Sequence, residues 1–303
     1  MKDILCINYS QSGQLDAILD NFLVPLSGHN IERVKLVPVN PYSFPWSTKN
    51  FYDPMPETVL EEPVELEPVS FAKEKYDLII LGYQPWFLSP SLPTSSLLQL
   101  PSFKSRLNGT EVMTVIGARN MWINAQKSVA GHIKANGGIL VGNVALVDRA
   151  PNHLSAISIV HWMMTGKKER KWGVFPKPGV SDKDIANCSR FGEVLNNAIL
   201  EHALEDFQKN AMKHGAVQIK TSILFIERKA KKIFVLWANQ IKKKEAEGKN
   251  RAFWIQFFRI YLNIALFGVA PILLLFYVIL ILPFSVGLVR RRKSEIIYGE
   301  LIN

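Results

Sequence analysis

The chain has 303 residues, 48% of them apolar and 20% charged, which is enough for one large core plus an appendage and argues against disorder. Its net charge of +10 is uneven: residues 1–205 carry 19 Lys/Arg against 20 Asp/Glu, residues 206–259 carry 13 against 4, and residues 290–303 carry 4 against 2. The two cysteines, Cys6 and Cys188, suggest neither a disulfide framework nor a metal-ligand cluster, so no metal is expected and a reducing cytoplasm fits.

Four apolar residues at the start are too few for a signal-peptide core, and none is expected. The first element is a strand over 3–9 that runs into Ser10-Gln11-Ser12-Gly13-Gln14, a hydroxyl- and glycine-rich turn, and then into a helix over 14–26. Backbone N–H groups at a helix start, two serine hydroxyls and a permissive Gly13 make a cradle for a phosphate dianion. Strand 32–39 follows. Residues 38–68 hold seven prolines with Tyr42, Phe44, Trp46, Phe51 and Tyr52, read either as an ordered insertion plugged against a sheet or as an apolar lid.

Strands at 77–82, 111–117 and 139–147 alternate with helices near 94–107, at 122–136 and at 182–204, the pattern of a doubly wound parallel sheet. Residues 149–181 read as a second irregular connection, with Lys167 to Lys171 as a solvated charge run. From Ile219 the apolar residues Ile223, Ile226, Ala230, Ile233, Trp237 and Ile241 recur at helical spacing among lysines. This is a basic amphipathic helix, expected along an anionic membrane surface in preference to docking on the domain. Ile260 to Val289 is thirty residues without a charge, flanked by Arg259 and by Arg290 to Lys293, and reads as a membrane segment. Both flanks are basic, so a hairpin bent at Pro271 is preferred slightly over a single span. The expected division is 1–205 for the α/β domain, 206–251 for the basic helical region and 252–303 for the anchor.

The Ser10–Gln14 turn resembles the flavodoxin phosphate-binding loop, with Gln14 and Leu15 where flavodoxins usually carry Asn and Thr. Two later strand ends match in kind: Tyr83 to Pro90, and Ala118-Arg119-Asn120-Met121-Trp122. Together with the run Asp148-Arg149-Ala150-Pro151-Asn152-His153 and the apolar tail, the chain is similar along nearly its whole length to the bacterial dialkylresorcinol condensing enzyme family. That resemblance implies a flavodoxin-like fold and bound FMN, with Ser10, Gln11, Ser12, Gly13 and Gln14 at the phosphate. Pro85, Trp86, Phe87, Gly117, Arg119, Asn120, Met121 and Trp122 would lie around the ring, with Trp86 or Trp122 stacked on it. Arg119, Asp148 and His153 are the candidate catalytic residues, as a cation for developing negative charge and as base and orienting groups.

The resemblance also implies a place in dialkylresorcinol and flexirubin-type pigment biosynthesis beside a ketosynthase and an acyl carrier protein, on the cytoplasmic face of a bacterial inner membrane. Condensation normally needs an activated thiolate near histidines, an arrangement that Cys6 and Cys188 do not offer in sequence. The reaction expected is therefore flavin-dependent oxidation of a 2,5-dialkylcyclohexane-1,3-dione to the resorcinol. A membrane-tethered electron carrier or scaffold and a nicotinamide-dependent quinone reductase are the alternatives. The basic tail adjoins an apolar segment, so the anionic partner expected is lipid and not nucleic acid.

Overall fold

The computed structural model describes residues 1–281 together with Ser294, Ile296 and Ile297. In chain order its elements are β1 (Asp3–Asn8), α1 (Gln14–Leu23), β2 (Asn30–Lys35), α2 (Thr48–Tyr52), α3 (Met55–Leu60), β3 (Leu78–Tyr83), β4 (Pro85–Trp86), β5 (Ser89–Pro90), α4 (Leu92–Gln99) and α5 (Pro101–Leu107). Then follow β6 (Glu111–Ala118), α6 (Ile123–Ala135), β7 (Ile139–Val147), α7 (Asn152–Thr165), α8 (Asp182–Ala186), α9 (Ser189–Leu200), α10 (Phe207–Lys213), α11 (Thr221–Ala246), α12 (Arg251–Ile264) and α13 (Ala270–Phe276).

The main sheet is all parallel in the order β2-β1-β3-β6-β7, which is the flavodoxin-like order once the small β4–β5 ribbon is set aside. Helices cover both faces, α1, α8, α9 and α10 on one and α4, α5 and α6 on the other. Central strands buried on both sides therefore read as continuous apolar runs and not as alternations: every residue of β3 is buried, and so is every residue of β1 after Asp3. The winding order, not the strand direction, reverses between β1 and β3, and the carboxyl edge at such a switch point is where sheets of this kind take ligands.

Two short helices, α2 and α3, lie inside the stretch 38–68 that was read as irregular, and element types depart from the expectations at four further places. The strand expected over 32–39 leaves the parallel ladder after Lys35 and runs on as an extended segment bonded to the insertion, Val39 N to Glu65 O at 3.1 Å and Glu67 N to Val37 O at 2.8 Å. The helix expected near 94–107 breaks at Leu100, as the residue before a proline is pushed out of the helical region. Residues 149–181 are not irregular throughout: they contain α7, fourteen residues long, entered after Pro151 and stopped by Gly166 in the left-handed region. The fourth is the helix expected over 182–204, which divides at Asn187 and Cys188 into α8 and α9.

The packing of the α/β domain also runs past the boundary expected at 205. Phe207 is fully buried and fills the space that a side chain at Gly142 would need. Gln208 Oε1 accepts from Asn143 N at 2.7 Å, and Ala145 N donates to Ala216 O at 2.8 Å. The sheet domain thus extends through Ile219, which belongs to the same core. A chain ended at residue 205 is expected to be much less stable than one ended at Lys249, because it loses the Phe207 packing, roughly 2 kcal/mol or more for a buried aromatic, and leaves β7 amides unsatisfied. Comparison of the two fragments by thermal melting checks this.

Helix α11 docks on α3, α6 and α12. Its buried seam is Leu224, Glu227, Phe234, Ala238 and Ile241, while Ile233, expected in the stripe, is 38% exposed. The bend expected at Pro271 is absent. Helix runs without interruption from Arg251 to Leu280, with a π-helical turn at Ala265–Val269 directly before Pro271 that absorbs the missing proline N–H. These thirty residues have a mean hydropathy of 2.4 in their most apolar window, of which 11% is buried. At about 1.5 Å per residue the helix is roughly 45 Å long, and by length and composition it suffices to cross a bilayer. The basic flank Arg290 to Lys293 lies outside the described residues.

Candidate functional site

The turn after β1 is half-exposed at Ser10, Gln11 and Ser12 and exposed at Gly13. Gly13 adopts φ 76°, which only glycine takes without strain, and a Cβ placed there would meet nothing within 4 Å. It is the N-cap of α1 and has no side chain to satisfy the helix start. Asp16 N reaches Ser10 Oγ at 3.4 Å and Ala17 N reaches Gly13 O at 3.1 Å. Among the described residues, no acceptor within the chain takes the amides of Ser12, Gly13, Gln14 and Leu15. Four amides without an internal acceptor at the positive end of a ten-residue helix are what a phosphate dianion needs.

Two of the residues assigned to this turn use their side chains elsewhere. Gln14 forms a reciprocal pair with the backbone of Val180, accepting from its N at 3.1 Å and donating to its O at 3.2 Å. Gln11 donates to the carbonyls of Tyr42 and Ser43, both at 3.1 Å, which ties the turn to the insertion.

The loop after β3 turns back as the β4–β5 ribbon, with Phe87 and Leu88 both at positive φ. Trp86 stands over the crevice among Tyr9, Tyr42 and Trp46, at ring distances of 5.9, 5.0 and 5.3 Å. Phe87 faces the other way, toward Phe51, Tyr52 and Phe258, and Met121 packs in that same second cluster. Trp122 is 1% exposed and belongs to the core, which leaves Trp86 as the tryptophan at the crevice. Gly117 is needed for close packing: its added Cβ would lie 3.2 Å from Ile18 Cδ1 of α1.

Arg119, Asn120 and Asp148 come together where β6 and β7 end. Asp148 N donates to Ala118 O at 3.1 Å, so the two strand ends are tied. Asp148 is 3% exposed and both its oxygens are used, accepting from Ala150 N at 2.8 Å and from Ser155 Oγ at 2.7 Å. It therefore organises the entry to α7. Burial works against the charge of the half-buried Arg119, and the neighbouring Asp148 works for it. Asn120, Asp148 and Arg149 line a cavity of about 90 Å³ with Gln218, Lys220 and Ile223. His153 lies in the first turn of α7, its Nε2 buried and without a hydrogen-bond partner.

Over this edge α7 and the insertion close on each other. Trp46 N donates to Met163 O at 2.8 Å, Phe44 meets Trp162 edge-on at 6.2 Å, and Pro45 packs on Gly166. The insertion is thus an ordered roof whose aromatic rings rest on Trp86. Beneath and within it, three more buried polar atoms lack a partner: Asn8 Oδ1, Gln84 Nε2 and Trp46 Nε1. Unsatisfied buried polar atoms are rare in folded chains, and with His153 Nε2 these four lie on segments that meet at the edge where the phosphate turn opens. The open amides together with this mix of donors and an acceptor fit a phosphorylated, planar, hydrogen-bonding ligand such as FMN. Sequence reasoning passed over Gln84, which adjoins the strand end and whose Oε1 accepts from Gln11 N at 3.4 Å; it named Tyr42 and Trp46 as part of a plug or lid without placing their rings against Trp86.

No protein-family model matches this chain, and no curated protein does. Among solved structures it is similar to a flavoprotein in complex with FMN from Lactobacillus acidophilus NCFM, at 18% identity and a TM-score of 0.38 over 48% of this chain and 93% of that one. A flavoprotein from Bacteroides uniformis ATCC 8492 matches at 14% identity and a TM-score of 0.38, over 53% of this chain and 97% of that one. Oxidised flavodoxin 1 from Bacillus cereus matches at 16% identity and a TM-score of 0.32, over 66% and 97%.

Proposed function

We propose that this chain is a membrane-attached, FMN-dependent oxidoreductase that oxidises a 2,5-dialkylcyclohexane-1,3-dione to the resorcinol. The observation that carries the flavin part is the phosphate turn, with four unclaimed amides opening on a crevice rimmed by partnerless polar atoms. Flavoproteins with bound FMN stand among the similar solved structures, and the strand order is that of a fold whose crevice takes FMN. The dione, the pigment pathway and the ketosynthase and carrier-protein partners rest on the family resemblance. Attachment to the cytoplasmic face of the membrane rests on the apolar helix and the basic region before it.

Aromatising the dione removes two hydrogens, and FMN, when bound, supplies the two-electron acceptor that this requires. Arg119 presents a guanidinium where an enolate oxygen gains negative charge. His153 Nε2, with no partner of its own, is the proton acceptor. Asp148, with both oxygens engaged, orients the loop that leads from β7 to His153. Neither cysteine offers a nucleophile: Cys6 and Cys188 are buried, and burial pushes both thiols up to about 12.

Full-length protein supplied with FMN is expected to bind it, as read by quenching of flavin fluorescence. The dione is then expected to bleach the bound flavin without air and to leave as the resorcinol, also when both cysteines are replaced by Ala. Bleaching by a nicotinamide cofactor and not by the dione would make the chain a quinone reductase. Absence of FMN binding would end the flavoprotein reading altogether.

A further inference from the structure

Helix α11 carries two charged residues one turn apart, Glu227 and Lys231, that point into the protein. Glu227 is 0% exposed. Its Oε1 accepts from Asn124 N at 2.7 Å, its backbone carbonyl accepts from Asn124 Nδ2 at 3.1 Å, and the Ile123 amide also bonds to its carboxyl group. Those amides open α6, whose own N-cap residue, Trp122, supplies no side-chain bond. Glu227 therefore caps α6 from another helix, at the point where the loop Arg119 to Trp122 ends.

Lys231 Nζ donates to Ser89 Oγ and, at 3.1 Å, to Val59 O, and lies 3.9 Å from Glu61 Oε1. Ser89 is fully buried and pairs directly with Trp86 across the β4–β5 ribbon. One helix face thus holds the backs of both loops assigned to the ring of the flavin.

We propose that Glu227 and Lys231 are positioning residues of the flavin site, fixing the Trp86 ribbon and the Arg119–Trp122 loop relative to each other through α11. This rests on the FMN reading above. The choice of residue supports it. Buried ions are costly, and apolar residues of similar volume often serve stability as well or better. Burial pushes the Glu227 carboxyl up to about 7, and its Oε2 has no partner. Each charge is thus a costly choice for mere filling of space, and each satisfies polar groups of one loop.

The test uses full-length E227L, E227Q and K231M. Stability is read by melting, loop order by amide hydrogen exchange without ligand, and the site by FMN affinity. E227L is expected to speed exchange at residues 119–124, and K231M at 84–90, each by about tenfold for one lost set of hydrogen bonds. Both are expected to weaken FMN by a similar factor while remaining folded, with a modest fall in melting temperature for the lost hydrogen bonds. E227Q keeps an acceptor for the α6 amides and is expected to restore wild-type exchange. Unchanged exchange in folded K231M, or equal effects of E227L and E227Q, would overturn the proposal. If wild type bound no FMN, the flavin reading would fall, and the exchange data would still decide whether α11 holds the loops.

Discussion

Ser12→Asp is expected to lose FMN binding by a factor of 100 or more with little change in melting temperature. Ser12 is half-exposed and makes no side-chain bond to the rest of the described chain, so the fold does not depend on it. Placed among four open amides, an aspartate side chain occupies the phosphate position and repels a phosphate at the same spot. At about 4 Å and an effective dielectric of about 20, one pair of like charges costs roughly 4 kcal/mol, nearly a thousandfold in affinity. Ser12→Ala removes one hydroxyl and is expected to cost about tenfold. Titration of flavin fluorescence against each variant measures both. A folded Ser12→Asp protein that binds FMN like wild type would place the phosphate elsewhere.

The largest effect on stability is expected at Gly192. It lies inside α9 where that helix crosses α1, and a Cβ built on it would sit 2.0 Å from the carbonyl oxygen of Phe22 and 3.1 Å from Pro25 Cδ. The obstacle is backbone, which no side-chain rotation relieves, so the two helices must move apart and loosen Phe22 and Phe191, both fully buried. Gly192→Ala is expected to destabilise by about 4 kcal/mol or more, a fall in melting temperature on the order of 10 °C for a domain of this size. Gly131→Ala is the control: Gly131 lies inside α6 with nothing within 4 Å of an added Cβ, and alanine there is expected to add up to about 1 kcal/mol. Equal melting of the two variants would show that the α1–α9 crossing is not close-packed.

The central sheet was legible because its strands are buried on both faces: Ile4 to Ile7 and Leu78 to Leu81 have no polar residue to interrupt the run. The strand-to-helix turn at Ser10–Gln14 was legible as a turn because its backbone is set by neighbouring residues, with Gly13 in the left-handed region. Helix α7 escaped because Leu154, Ile157, Ile159, Val160, Trp162, Met163 and Met164 put apolar residues all round it, with no polar face to mark a period. The seam of α11 was read in part, since Ile223 and Ile241 are buried as expected, but its polar members were missed for the opposite reason. A reader seeking an apolar stripe steps over Glu227 and Lys231, yet these face the protein, while Ile233 does not. Partners for such residues come from segments more than a hundred positions away, and no periodicity announces them. The same holds for the roof, where Trp46 and Met163 meet only after the chain has traversed the sheet.

Arg251 opens the long apolar helix and is also the residue that grips the roof. Its guanidinium is bidentate on Glu57, at 2.8 and 2.7 Å, and takes Asp53 O at 2.7 Å and Glu245 at 2.9 Å. A membrane anchor commonly hangs from its domain on a slack tether, so that the domain wanders over the lipid surface. In the attachment proposed above the apolar helix instead starts inside a network of ion pairs, so its first turn is held to the roof by side-chain contacts and not by a linker.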